Sequence, residues 1–135
     1  MNATVYIESS VVSYLTSQTS RDLVTAARQA ITTEWWNDQR SKYDAYVSAL
    51  VEEENSHGDP DAADRRLSAI KEIPALDISE QASALAKELI RLEAIPENSE
   101  EDALHIGIAA SSGIDYLLTW NFKHLNNAEP KKPSP

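Results

Sequence analysis

Four side chains with oxygen donors stand where short apolar runs end or helices begin, and together they are the chain's best candidates for chemistry. Glu8 directly follows the β-branched run Thr4-Val5-Tyr6-Ile7, and Glu54 closes the acidic triplet Glu52-Glu53-Glu54 after the apolar segment ending at Val51. Asp102 lies in the first turn of a small-residue helix opened by Ser99, and Asn121 follows Tyr116-Leu117-Leu118-Thr119-Trp120. Three carboxylates and one amide oxygen form a hard donor set of the kind that takes Mg²⁺ or Mn²⁺, with places left for water and a substrate phosphate. Such a cation acidifies water and offsets the charge on a phosphate under attack.

Each of these residues also has a plainer reading. Ser99 and Asp102 form a Ser-x-x-Asp pair that can satisfy helix N–H groups. Glu54 can lie on a solvated helix face, and Glu53 is its rival for a ligand role. Glu8 can cap the helix after it, and Asn121 can cap an Asn121-to-Leu125 turn. With 22 acidic residues in the chain, four at strand ends can arise by chance. Glu54-x-x-His57 and Asp102-x-x-His105 match the i, i+3 spacing of di-iron bundles, but such a site needs four facing helices and here strands separate the helices. His105, between Leu104 and Ile106, reads instead as a partly buried, hydrogen-bonded histidine, and His124 as a neighbour of the site.

The elements that must position these groups alternate between strand and helix. Strands are expected at Thr4-to-Ile7, Tyr43-to-Val51, Pro74-to-Ile78 and Asp115-to-Trp120. Val11, Val12 and Leu15 mark a short helix after Glu8. A long helix is expected from Ser20 to about Arg40, with Ser20 as its cap and Trp35 and Trp36 packing near its end. The acidic triplet opens the next helix, which Gly58 ends, and Pro60 starts another. Ser79 caps a helix from Glu80 to Ala94, and Ser99 begins the one that carries Asp102. This alternation predicts an α/β fold with a mainly parallel sheet, whose sites form at the carboxyl ends of the strands. One domain is expected over residues 1–127, followed by a disordered Pro-Lys tail over 128–135.

The chain's 135 residues suffice for a single core. Without cysteine it has no disulfide framework, zinc knuckle or thiol nucleophile, which suits a reducing cytoplasm. No apolar window approaches about 18 residues and no signal peptide opens the chain, so no membrane association is expected. The formal net charge of −10 argues against binding nucleic acid by broad phosphate neutralisation. Arg21, Arg28, Arg40, Lys42, Arg65, Arg66, Lys87, Arg91 and Lys123 can gather into a local basic rim, although solvated helix faces account for most of them. No Ser-His-Asp triad, Gly-rich phosphate loop or dinucleotide fingerprint is present.

Four segments, in order, resemble the motifs of the PIN-domain family, metal-dependent nucleases that include the VapC-like toxins of toxin–antitoxin pairs. They are Val5-Tyr6-Ile7-Glu8-Ser9-Ser10-Val11-Val12-Ser13-Tyr14-Leu15; Tyr46-Val47-Ser48-Ala49-Leu50-Val51 with Glu54 and Gly58; Asp102-Ala103-Leu104-His105-Ile106-Gly107-Ile108-Ala109-Ala110; and Tyr116-Leu117-Leu118-Thr119-Trp120-Asn121. The resemblance implies a three-layer α/β/α fold with about four strands and hydrolysis of RNA phosphodiester bonds with Mg²⁺ or Mn²⁺. It also implies an antitoxin partner and a homodimer. Carried over by position, Glu8, Glu54 and Asp102 become the metal-binding acids, Asn121 the fourth position, and Ser10 the support of the first. The sequence departs from the family where Glu8 replaces the usual Asp with one more methylene and where Asn121 supplies an oxygen without a charge. A PIN-like domain that has lost catalysis and binds RNA or protein is the alternative these departures imply.

Overall fold

A computed structural model describes residues 1–121. It consists of β1 (Thr4–Ile7), α1 (Ser9–Thr16), α2 (Leu23–Asp38), a 3-10 turn (Arg40–Lys42), β2 (Asp44–Ser48), α3 (Ala49–Asn55), α4 (Pro60–Ile70), β3 (Ala75–Leu76), α5 (Glu80–Arg91), α6 (Glu100–Ser111) and β4 (Tyr116–Leu118). The strands form one parallel sheet in the order β3-β2-β1-β4, and among the described residues six helices flank it in a three-layer α/β/α arrangement. None of these helices is long and apolar enough to cross a membrane.

β1 is one of two inner strands and joins β4 to the rest of the sheet. Val5 pairs with Ala45 on one side and with Tyr116 on the other. A strand covered on both faces must be apolar throughout, and Val5, Tyr6 and Ile7 are all buried. Tyr6 and Ile7 join Val11, Val12, Val47, Val51, Ile70 and Ile108 in the main core. Trp35 and Trp36 pack against that core as expected. The chain leaves β1 toward β2 and returns on the opposite side as β4, so the sheet order reverses beside β1. In parallel sheets this switch point opens a crevice at the carboxyl ends of the strands.

Several expected boundaries shift for local reasons. The second strand stops at Ser48 instead of Val51, because the Ser48 hydroxyl accepts a hydrogen bond from the Val51 amide and caps α3. A continuous apolar run does not distinguish a strand from a buried helical turn. Glu54 consequently lies in the last turn of α3, where the sequence had placed it in the first. Asp22, not Ser20, caps α2 by accepting from the Thr25 amide, while the Ser20 hydroxyl accepts from the Asp22 amide one step earlier. Ser79 and Pro60 do open α5 and α4. α5 ends at Arg91, three residues short of expectation, with Glu93 in the left-handed region at φ 59°. The third and fourth strands are shorter than the apolar runs that suggested them. The boundary at 127, the tail over 128–135, Lys123, His124 and the turn to Leu125 lie outside the described residues.

α6 reaches its place through a glycine. A methyl group on Gly107 would come within 2.3 Å of the Ala82 carbonyl oxygen, so only hydrogen at this position lets α5 and α6 pack backbone to backbone. That contact fixes the helix bearing Asp102 and His105.

Candidate metal centre

Glu8 occupies the N-cap position of α1, yet its side chain makes no cap hydrogen bond. It turns instead into the crevice between β1 and β4, where its Oε1 accepts from the Ser10 hydroxyl (2.5 Å) and the Thr119 hydroxyl (2.6 Å). Its Oε2 makes no hydrogen bond among the described residues and faces His105 Nε2 at 4.0 Å. The side chain is therefore clamped by one oxygen and open at the other.

Glu54 approaches from α3. Its Oε1 accepts from the Ser9 hydroxyl (2.5 Å) and from His105 Nε2 (2.6 Å), and the side chain also hydrogen-bonds Glu101. Burial alone would raise its pKa, but the hydrogen bonds from His105, Glu101 and Ser9, with the nearby imidazole, bring it down to about 2. The bond and the charge of Glu54 push the Glu101 carboxyl the other way, so the two acids titrate as a linked pair.

Ligand atoms of Glu8, Glu54 and His105 lie within 4.8 Å of one another, and this buried group can hold a metal ion. Glu53 is exposed while Glu54 points inward, which separates the two rivals. Asp102 falls outside this tight set. It lines a small adjoining cavity of about 20 Å³ with Glu8, His105, Thr119 and Asn121, and it accepts from Asn121 Nδ2 at 3.4 Å. Asn121 thus turns its amide nitrogen toward Asp102, and its backbone amide donates to Thr119 Oγ1. The structure brings Glu8 and Glu54 together, with the Ser10 hydroxyl donating to the first, and leaves Asp102 and Asn121 as a pair on the cavity wall.

His105, expected from the sequence only as a partly buried, hydrogen-bonded residue, lies between Glu54 and Tyr6. His105 is 2% exposed and bonded through both ring nitrogens, Nε2 to Glu54 and Nδ1 to the Tyr6 hydroxyl at 2.6 Å. Tyr6 in turn meets Ser48 Oγ at 2.7 Å, and Ser48 accepts from the Val51 amide. With a neutral imidazole, donor and acceptor counts give this buried chain one direction. Glu54, ionised at neutral pH, only accepts, so His105 Nε2 carries the proton. Burial pushes the Tyr6 hydroxyl pKa up, so it keeps its hydrogen and donates to Nδ1. Ser48 then donates to Tyr6. Each side chain from Ser48 to Glu54 is thereby hydrogen-bonded to the next, and the imidazole is locked in orientation. The only sequence signals for this chain were a tyrosine in an otherwise aliphatic inner strand and a histidine between two apolar residues.

No protein-family model matches this sequence, and comparison with curated proteins and with solved structures gives no match to either.

Proposed function

We propose that the protein is a divalent-metal-dependent ribonuclease that hydrolyses RNA phosphodiester bonds, acting as the toxin of a toxin–antitoxin pair. The observation that carries this reading is the convergence of Glu8 and Glu54, with Asp102 beside them, at the sheet's switch point. The resemblance to PIN domains had singled out the same acids. The donor set fits Mg²⁺ or Mn²⁺: Glu8 Oε2 is buried and open, Glu54 is ionised, and Asp102 borders a cavity large enough for about one water-sized body.

When bound, the cation supplies acidification of water and neutralisation of phosphate charge. The chain's own contribution is positional. Ser10 and Thr119 hold one oxygen of Glu8 so that the other points inward, and the Tyr6–His105 link fixes Glu54. Asn121 meets Asp102 at the exposed edge of the site, and burial strengthens the contacts of Glu8 and Glu54.

The test is incubation of the purified protein with mixed RNAs in Mn²⁺ or in EDTA, beside Glu8→Gln and Asp102→Asn. Cleavage in Mn²⁺ alone, reduced at least a hundredfold by Glu8→Gln, is the expected result; activity surviving the chelator or both substitutions refutes it. One observation favours a second reading, a binding module without catalysis. Glu54 Oε1 already accepts from both Ser9 and His105, so its ligand capacity is partly used. Mn²⁺ then leaves the melting temperature unchanged, whereas a bound ion raises it by mass action.

A further inference from the structure

On the far side of Ser10 from Glu8, three side chains from separate elements form a cluster that the metal centre does not use. The Arg28 guanidinium of α2 lies 5.3 Å from the centroid of the Trp120 ring and 5.9 Å from that of Tyr14. Its Nη1 donates to the Tyr14 hydroxyl at 3.1 Å, and the two rings stand 5.7 Å apart. The group is held in place. Trp120 Nε1 donates to Thr32 Oγ1, and the Thr32 hydroxyl donates to the backbone carbonyl of Arg28, which ties the indole to the turn that carries the arginine. The Trp120 backbone amide donates to Ser10 Oγ, the hydroxyl that also clamps Glu8. The cluster is therefore two hydrogen bonds from the candidate metal ligand and rigidly referenced to it.

Its charge is available. Among the described residues no carboxylate lies within 4.0 Å of Arg28. Asp22 feels its charge, but is engaged by the Thr25 amide and hydroxyl. Arg28, Tyr14 and Trp120 are each half-buried, with an edge left to solvent. A guanidinium between aromatic faces loses little freedom on binding and keeps N–H groups for a phosphate. Aromatic faces beside it offer stacking that tolerates any base, the combination used for single-stranded nucleic acid.

Resting on the ribonuclease reading, we propose that Arg28, Tyr14 and Trp120 form the substrate rim of that site, binding one nucleotide of single-stranded RNA next to the scissile phosphate. Arg28 takes a phosphate oxygen while a base stacks against the Trp120–Tyr14 edge. In a chain of net charge −10, a local cation is what brings a polyanion up to a cluster of carboxylates.

The test is fluorescence anisotropy with a labelled single-stranded oligoribonucleotide of mixed sequence, titrated with the full chain in EDTA over a range of salt. Arg28→Gln is expected to weaken binding about tenfold and to reduce the slope of log K against log salt by about 0.7, one phosphate contact on a single strand. Arg28→Lys keeps the slope but still binds less tightly, because it retains charge and loses the planar stack. Absence of RNA binding by the wild type, an Arg28→Gln variant with unchanged affinity and slope, or equal competition by polyglutamate each overturns the rim. Arg28-dependent binding without cleavage in Mn²⁺ leaves the rim standing and removes the ribonuclease reading. Cleavage with the same KM in wild type and Arg28→Gln does the reverse.

Discussion

Replacing Tyr6 with phenylalanine deletes one oxygen from the middle of the buried chain and leaves the ring's packing in place. In the wild type that hydroxyl serves two partners, donating to His105 Nδ1 and accepting from Ser48. Its removal leaves an unsatisfied acceptor on one side and an unsatisfied donor on the other, at positions 2% and 0% exposed. Each such group costs about 1–3 kcal/mol, offset in part because the desolvated phenol is gone, so a loss of about 2–4 kcal/mol is expected. Against a total stability of about 5–15 kcal/mol this is large, and at roughly 3–5 °C per kcal/mol the melting temperature falls by about 10 °C. Urea denaturation of wild type and Tyr6→Phe measures it, with an unchanged m-value showing that the unfolded states are comparable. Ser48→Ala should cost less, about 1–2 kcal/mol, because Tyr6 still reaches His105 and the main loss is the cap on Val51. Nitrogen chemical shifts of His105 provide an independent check, since the directed chain places the proton on Nε2. A Tyr6→Phe cost below about 0.5 kcal/mol, or a proton found on Nδ1, refutes the directional chain.

Glu54 makes acid sensitivity predictable in sign. Its folded pKa is below its ordinary 4.5, so its contribution is complete above that value and is lost as pH falls toward about 2. The stability gap between wild type and Glu54→Gln should therefore narrow over that window, and parallel urea midpoints across it would count against the assignment. Glu101 has the opposite sign, and its stabilising proton is lost as pH rises. Glu101→Gln, which keeps a donor for Glu54, should gain melting temperature relative to wild type at pH 8 but not at pH 4. Gly107→Ala forces a methyl group into the Ala82 backbone and should cost about 1–3 kcal/mol by chemical denaturation. An Ala variant as stable as wild type would mean that α5 and α6 separate freely. Glu93→Gly relieves a side chain from left-handed backbone and should add about 1 kcal/mol, read as a higher thermal midpoint.

The fold was legible because the inner strand announces itself. Val5-Tyr6-Ile7 is buried on both faces, and helices opened by the Ser79 cap and by Pro60 in the first turn alternate with the other strands. Boundaries failed where capping competed with hydrophobicity, at Ser48 and at Ser20, since one hydroxyl decides whether the next apolar residues continue a strand or turn into a helix. In the site, Glu8 and Glu54 were readable because strand ends and the turns after them converge by topology. Asp102 and Asn121 were readable as neighbours of the site but not as partners of each other. The participation of Tyr6, Ser9, Ser48 and His105 was hidden because it depends on contacts across 42 to 99 residues of sequence. Composition and periodicity carry no record of which polar tips meet inside a core.

The placement of β1 between β2 and β4 also sets an order in time. The strand bearing Glu8 is synthesised first, but the hydroxyl of Thr119 that clamps the carboxylate comes 111 residues later. At about 5–20 residues per second, roughly 6–22 s of translation separate the two. Until β4 has been made, β1 has one neighbour, the Trp120 amide is missing from Ser10, and the crevice has a single wall. A chain cut short before that point would carry Glu8, Glu54 and Asp102 without their arrangement, so the site serves as a check that the sheet has been completed.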